Sequence, residues 1–144
     1  MNHFHTGIVV PDIEAWKTRL TDTAGHRWTR TLTGEVRVRL ADGDHDLALT
    51  YAYSLDAPHL ELVQEIPGTP WRAGAHHIAY LVDDLLAASK SLEAAGFPRE
   101  ACALVEGQPA IFAYHLNPAG VRIEIVDRAR MPDFPAYLRA RTPR

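Results

Sequence analysis

Four side chains at matching points of a repeated sequence carry the chemistry that this chain most clearly suggests: His5, Glu61, His77 and Glu124. Imidazole nitrogens and carboxylate oxygens together suit Zn²⁺, Fe²⁺, Co²⁺, Ni²⁺ or Mn²⁺. Two of each would leave open positions on an octahedral ion, which water or two adjacent substrate oxygens can fill. Such an ion acts as a Lewis acid, which polarises a carbonyl group and stabilises an enediolate when a neighbouring C–H is deprotonated.

The repeat is visible in segments 5–13 and 77–85, which read HTGIVVPDI and HIAYLVDDL. In each copy a histidine opens an apolar run and an aspartate follows it. A second related piece ends each copy, HLELV at 59–63 and RIEIV at 122–126. Duplications of this kind are sought first because they determine the fold. One histidine and one glutamate per copy can bring four ligands to one centre.

The strands that must position these residues show a regular alternation. Successive side chains of a strand point to opposite faces, so His77 shares a face with Ala79 and Leu81. Glu61 and Glu124 each lie between two apolar residues. A carboxylate in the middle of an apolar strand is costly to bury unless it is paired or bound to a metal. One such glutamate can be an exposed position of a half-buried sheet, but two at equivalent places favour a metal site.

The remaining pattern predicts the order β-α-β-β-β in both copies, with one extra strand in the first. Asp12 is the predicted N-cap of the first helix, which ends at Gly25, and Asp84 caps a second helix that runs to about Ala95. A turn is predicted at 33–35. Further strands are predicted at 4–10, 28–32, 36–40, 47–53, 60–66, 76–82, 101–106, 111–116 and 121–126.

The composition is that of an ordinary globular domain, with 47% hydrophobic and 23% charged residues. A net charge of -3 gives no reason to expect nucleic acid as a partner. No apolar run approaches the roughly 18–20 residues of a membrane span, and a signal-peptide pattern is missing. Cys102 is the single cysteine, so no internal disulfide can form. We therefore predict a cytoplasmic protein without nucleic-acid or membrane partners.

These motifs resemble the vicinal oxygen chelate superfamily, which includes glyoxalase I, methylmalonyl-CoA epimerase, extradiol dioxygenases and bleomycin-resistance proteins. Segment 76–84, HHIAYLVDD, is closely similar to the one that opens the second module of methylmalonyl-CoA epimerases, where the second histidine binds metal. Segment 117–120, NPAG, is similar to the Asp-Pro-x-Gly turn before the last ligand of many members. The resemblance implies an α+β fold of the glyoxalase/bleomycin-resistance/dioxygenase type, in which two βαβββ modules form an open cup-shaped mixed sheet.

The resemblance extends from His5 to about Asp127. We predict a single domain over residues 1–144, with modules at about 3–67 and 75–127 and a C-terminal extension at 128–144. The extension is rich in arginine and is predicted as a solvated end with a short helix at 132–140. The family also implies a homodimer, because dimers are common among its members.

Carried over residue by residue, the family's metal ligands fall on His5, Glu61, His77 and Glu124. This His-Glu-His-Glu set matches bacterial glyoxalase I and many epimerase-like members. The chain departs from the epimerases at 47–53, where no glutamate provides their second acid–base group. It also lacks the arginine and asparagine pattern expected for glutathione recognition.

The leading hypothesis is a divalent-metal-dependent isomerase or lyase of the epimerase/glyoxalase class. It would move a proton next to a carbonyl of a small or acyl-thioester substrate, with Glu61 or Glu124 as the base. One alternative is a non-catalytic protein that binds a natural product, as resistance members do. Another is an Fe-dependent ring-cleaving oxygenase; those enzymes usually use two His and one Glu, so Glu61 would be surplus.

Three further residues are candidates for substrate binding. Tyr51 and Tyr53 share one face of a predicted strand and either shape a substrate pocket or pack beneath a helix. His115 precedes the NPAG turn and is predicted as a base or hydrogen-bond donor to the substrate.

Overall fold

The structure is a computed structural model that describes all 144 residues. Its eight strands are β1 Asn2–Val10, β2 Leu32–Leu40, β3 Gly43–Tyr53, β4 Leu60–Gln64, β5 Gly74–Val82, β6 Arg99–Val105, β7 Gln108–Leu116 and β8 Arg122–Asp127. Its helices are α1 Ile13–Ala24, α2 Leu85–Ala94 and α3 Phe134–Arg141, with a 3₁₀ turn at Arg128–Arg130. The predicted β-α-β-β-β order is present in both repeats, and α3 follows the second.

The first repeat has no extra strand, which corrects one prediction. Trp28 forms only an isolated bridge with Ser54, and β2 runs without interruption through 33–35, where a turn was expected. The reason is tertiary. Trp28 is buried, and its indole Nε1 donates to the carbonyl oxygen of Lys17 on α1 at 3.1 Å. This residue therefore packs against α1 and does not extend a strand.

The sheet is mixed, as predicted, but it is not an open cup. Hydrogen-bonded neighbours follow the order β1-β4-β3-β2-β6-β7-β8-β5, and the sheet closes into a barrel. β1 pairs with β4 and β5 with β8 in parallel, whereas the β3–β4, β6–β7 and β7–β8 pairs are antiparallel. The prediction of an open cup is wrong because alternation along a strand shows which face is buried, not whether the edge strands meet.

The chain divides into two compact units. The second-repeat unit comprises Met1–Phe4, Glu35–Ala48 and His77–Pro132. The first-repeat unit comprises His5–Gly34, Leu49–His76 and Asp133–Arg144. The C-terminal helix α3 therefore belongs with the first repeat, although it follows the second in the sequence. The division into modules at 3–67 and 75–127 stays a prediction.

In the first-repeat unit, α1 packs on one face of the β1–β4–β3 strands. The Asp12 carboxylate caps α1 by accepting from the Ala15 amide at 3.1 Å, and Gly25 ends it in the left-handed conformation, with φ of 73°. The core on this face joins α1 to the three strands and consists of Val10, Ile13, Trp28, Ala52 and Leu62, with Trp16 and Leu20 packed against it. Since side chains alternate along each strand, His5 and Glu61 lie on the opposite face.

The second-repeat unit repeats this arrangement with α2. The Asp84 carboxylate accepts from the Ala87 amide at 3.0 Å, as Asp12 does for α1. The core between α2 and the strands consists of Val82, Leu85, Leu92, Cys102, Leu104, Ala113 and Ile125. His77 and Glu124 lie on the face turned away from α2, for the same reason of alternation. None of the helices has both the length and the apolar character that crossing a lipid bilayer requires.

Candidate metal site

The first-repeat unit places one histidine and one glutamate against each other. In the parallel β1–β4 pair, Gly7 lies opposite Glu61, and His5 is two residues before Gly7 on the same strand face. His5 Nε2 and Glu61 Oε1 are 3.3 Å apart. Both residues are buried, with exposed fractions of 1% for His5 and 8% for Glu61.

The second-repeat unit reproduces this pair in the same register. Ala79 of β5 lies opposite Glu124 of β8, and His77 is two residues before Ala79. His77 Nε2 and Glu124 Oε1 are again 3.3 Å apart. The exposed fractions are 3% for His77 and 6% for Glu124. The sequence repeat therefore encodes a structural repeat of a parallel strand pair with its candidate ligand side chains.

The four side chains form one buried group with the composition of a metal site. Each offers one ligand atom, and these atoms all lie within 4.8 Å of one another. Two carboxylates of like charge destabilise each other at such distances in a buried setting unless a cation joins them. Two imidazole nitrogens and two carboxylate oxygens fit a borderline divalent ion such as Zn²⁺, Co²⁺ or Ni²⁺.

A tyrosine accompanies each pair at an equivalent position. Tyr53 lies directly opposite Glu61 in the antiparallel β3–β4 pair, and its ring is 5.4 Å from that of His5. Tyr114 lies opposite Glu124 in the β7–β8 pair, and its ring is 5.1 Å from that of His77. Directly opposed residues of antiparallel strands share a face. Each histidine is thus held against the aromatic ring of its own repeat.

Tyr114 was not selected from the sequence, although a signal for it exists. The NPAG turn joins β7 to β8, and the pairs Leu116–Arg122 and Tyr114–Glu124 follow in sequence from that turn. Because the two strands are antiparallel, two steps forward from Arg122 to Glu124 correspond to two steps back from Leu116, and the residue reached is Tyr114. Tyr53 and Tyr51, which were selected, both lie on the face of β3 that is turned away from α1, and their rings are 5.9 Å apart. In each unit, the face of the strands that carries the His–Glu pair is called the ligand face below.

His115 lies on the other face of β7, beside α2. It is fully buried, its Nδ1 is 2.7 Å from the Phe97 carbonyl oxygen, and its Nε2 is 2.9 Å from Ser89 Oγ. A carbonyl oxygen only accepts, so Nδ1 carries the proton and Nε2 accepts from the serine hydroxyl. Both ring nitrogens of the neutral imidazole are engaged in holding α2 to β7. His115 therefore faces away from His77 and Glu124, which argues against the role in substrate binding that the sequence suggested.

The position of His115 predicts a pH dependence of stability. Burial lowers the pKa of the His115 imidazole, although the hydrogen bond to Phe97 and the charge of Glu93 oppose the change. The unfolded chain takes up a proton near pH 6.5 that the folded chain does not, so this contribution to the free energy of unfolding is present above about pH 6.5. It is lost as the pH falls from there toward the lower pKa of the folded state.

We expect urea denaturation of the wild type to show a larger loss of stability between pH 7.5 and 5.5 than that of His115→Gln. The variant should be the less stable protein at pH 7.5, with the gap narrowing by up to about 1.4 kcal/mol per pH unit as the pH falls. The exposed His3, replaced in the same way, should leave the wild-type pH dependence unchanged. Parallel curves for the wild type and His115→Gln would contradict the expectation.

A guanidinium group also lies on the ligand face of the second-repeat unit. Arg122 is two residues before Glu124 on β8 and forms a bidentate pair with Glu100, with distances of 2.6 Å from Nε and 2.9 Å from Nη2. The two partners are largely buried. The two carboxylates of the candidate site thus have different surroundings, because the residue two positions before Glu124 is an arginine, whereas the residue two positions before Glu61 is His59.

Fold and site together define a class of protein, an α+β chain built from two βαβββ repeats that each present a buried His–Glu pair on the face away from its helix. Residues 4–115 match the Glyoxalase/Bleomycin resistance protein/Dioxygenase superfamily, and the chain belongs to that superfamily. This confirms the resemblance inferred from the sequence motifs.

The chain is also similar to named proteins. It is 32% identical over 119 residues to the ethylmalonyl-CoA/methylmalonyl-CoA epimerase of Cereibacter sphaeroides, which covers 76% of this chain and 79% of the relative. Among solved structures, methylmalonyl-CoA epimerase from Mycobacterium tuberculosis gives a TM-score of 0.56 at 18% identity, over 88% of this chain and 87% of that one. A hypothetical protein from Bacillus halodurans gives 0.59 at 17%, over 88% and 93%. Likenesses at this identity establish the fold alone.

Proposed function

We propose that this chain is a divalent-metal-dependent enzyme that moves a proton next to a carbonyl group of an acyl thioester or small oxoacid. The observation that carries the proposal is the His–Glu pair found twice in one register, with Nε2 and Oε1 3.3 Å apart each time. The superfamily and the epimerase relative support an enzyme of the epimerase/glyoxalase type. Methylmalonyl-CoA and ethylmalonyl-CoA are the first substrates to test.

The four-donor set also distinguishes this proposal from the two alternatives. A protein that only sequesters a natural product has no need to bury two carboxylates, each of which is costly without a cation. A ring-cleaving oxygenase would use a single glutamate, whereas Glu61 and Glu124 are equally buried and equally close to their histidines. The arrangement favours acid–base chemistry with two carboxylates.

In the proposed mechanism, His5 and His77 would hold the ion through Nε2, and Glu61 and Glu124 through a carboxylate oxygen. When bound, the ion would supply Lewis-acid stabilisation of negative charge on the carbonyl oxygen. The carboxylate of Glu61 or Glu124 accepts the proton from the adjacent carbon and, as the acid, returns a proton to the same or the neighbouring carbon. Two carboxylates, one from each repeat, would replace the middle-strand glutamate that β3 lacks.

The direct test is hydrogen exchange. Protein loaded with Co²⁺ or Zn²⁺ is incubated with methylmalonyl-CoA in D₂O, and mass spectrometry follows deuterium at the carbon between the two carbonyl groups. We expect exchange well above that of metal-stripped protein and of buffer. Metal-loaded protein that exchanges neither this thioester, nor ethylmalonyl-CoA, nor a panel of small oxoacids would contradict the proposal. A metal-free protein whose affinity for a natural product survives EDTA would favour the binding alternative.

Metal binding should also stabilise the fold. A ligand present at about 100 times its Kd raises the free energy of unfolding by roughly 2.7 kcal/mol. For a chain of this size the corresponding rise in Tm is about 5–15 °C. Differential scanning of stripped protein with added Zn²⁺ or Co²⁺ measures the shift. Ca²⁺, which takes six to eight oxygen ligands, is the control and should give no comparable shift. Equal Tm values with and without Zn²⁺ would contradict a metal site here.

A further inference from the structure

The C-terminal helix α3 packs on the ligand face of the first-repeat unit. The Phe134 and Tyr137 rings lie 5.3 and 5.9 Å from the ring of Tyr53, both edge-on. Tyr53 in turn contacts His5 edge-on. Since α1 covers the other face of these strands, α3 lies on the side that carries His5 and Glu61. The extension at 128–144 is therefore not a simple solvated end, and α3 lies beyond the 4–115 region that matches the superfamily.

Two phenol hydroxyls meet where α3 touches β3. Tyr137 Oη and Tyr51 Oη are 3.4 Å apart, and Tyr51 lies on the same strand face as Tyr53. Two hydroxyl groups carry two protons, and the bond between them uses one. The second proton is available to an acceptor outside the pair, and the strand face that the pair shares is the face of Glu61.

The surroundings of Tyr137 keep its phenol protonated, so that the hydroxyl stays a hydrogen-bond donor. Burial is the main cause that raises the pKa of Tyr137, and the hydrogen bond with Tyr51 and the charge of Glu61 act in the same direction. The Arg141 guanidinium lies over the Tyr137 ring, 3.6 Å from its centroid, in a cation–π contact, and its charge opposes the rise in the pKa.

Helix α3 is fixed firmly enough to place a donor. The Asp133 carboxylate caps it by accepting from the Ala136 amide at 2.9 Å. At its other end, the Arg30 amide donates to the Arg141 carbonyl oxygen at 2.9 Å, and an Arg30 Nη1 donates to the Ala140 carbonyl oxygen at 3.1 Å. Leu138 of this helix is buried. Donors held in this way cost little reorganisation when negative charge develops on a substrate.

We propose that α3 completes the substrate site of the first repeat, where the Tyr51–Tyr137 hydroxyl pair donates a hydrogen bond to an oxygen of the chelating substrate. The proposal rests on the function proposed above and adds two named donors to it. The ligand class is a small molecule with two adjacent oxygens, at least one of which gains negative charge when the neighbouring C–H loses its proton. The acceptor oxygen of an enediolate meets a neutral phenol O–H rather than water.

The test uses oxalate, a planar dianion with adjacent oxygens, as a stand-in for the enediolate. Isothermal titration calorimetry of Co²⁺-loaded wild type, Tyr137→Phe and Tyr51→Phe gives the three Kd values. Loss of a hydrogen bond to a charged acceptor should weaken oxalate binding roughly tenfold or more in each variant. Cobalt content and Tm should stay at wild-type values, because phenylalanine keeps the ring. Tyr80→Phe, in the second-repeat unit and in contact with His3, is the matched control and should bind oxalate as the wild type does.

Wild-type affinity in both Tyr137→Phe and Tyr51→Phe would overturn this inference, and so would a cobalt-loaded wild type that binds no oxalate. Should Tyr137→Phe fail to fold, Tyr51→Phe decides the question by the same measurement. A wild type that takes up no metal would instead overturn the proposed function, and the inference with it. The two failures are therefore distinguishable by metal analysis before any titration.

Discussion

Glutamine in place of Glu124 is expected to lower kcat for proton exchange by about 10²- to 10⁴-fold, the usual contribution of a positioned acid–base group. Glutamine matches glutamate in shape but cannot accept a proton, so the strand pairing with Ala79 and the contact with His77 should be retained. Glu61→Gln should have an effect of the same order if both carboxylates take part. The measurement is the rate of deuterium exchange at saturating metal, with metal content determined on the same samples.

The matched control for these variants is Glu35→Gln, because Glu35 is exposed on β2 and touches neither pair. It should leave the exchange rate unchanged. We would abandon the glutamates as acid–base groups if the double variant Glu61→Gln/Glu124→Gln kept full turnover with metal bound. A variant that loses turnover only through loss of metal would be recognised by recovery at higher metal concentration.

Alanine in place of His5 should weaken Zn²⁺ binding by more than about 100-fold, since removing even a hydrogen-bond partner of a metal ligand typically costs 10- to 100-fold. His77→Ala should behave alike, because the two histidines occupy one register of the repeat. Competition with a chelator of known affinity, read out by elemental analysis of the dialysed protein, gives the dissociation constants.

His3→Ala is an instructive control for that experiment. His3 lies two residues before His5 on β1, and so shares its strand parity, but it is exposed and contacts Tyr80. The structure thus predicts full metal affinity for His3→Ala. Equal losses in His3→Ala and His5→Ala would mean that the repeat had been aligned to the wrong histidine.

The site residues predicted from the sequence depend on local periodicity. The offset of 72 residues between the two copies pairs His77 with His5 and not with His3. Strand alternation separates Glu61 and Glu124 from their apolar neighbours, and the structure shows that those neighbours face the helices. The same alternation argues against His115, since a residue next to Tyr114 on β7 must face α2. The NPAG turn sets the register of β7 and β8. With that register, the sequence alone indicates that His115 and Glu124 lie on opposite faces.

Other features depend on contacts between distant parts of the chain. The packing of α3 on Tyr53 cannot be derived from a short arginine-rich segment, because its position is set by Arg30, Tyr51 and Tyr53 far earlier in the chain. The continuous β2 is a similar case. Thr33, Gly34 and Glu35 read as a turn locally, yet the strand persists through them.

The unequal surroundings of the two His–Glu pairs make the two repeats distinguishable. The pairs are duplicates in register and distance, but one stands beside the phenols of β3 and α3 and the other beside the Arg122–Glu100 ion pair. A chain whose two halves repeat in sequence thus presents two copies of one pair that are not equivalent, and in the function proposed above the two copies need not share one task.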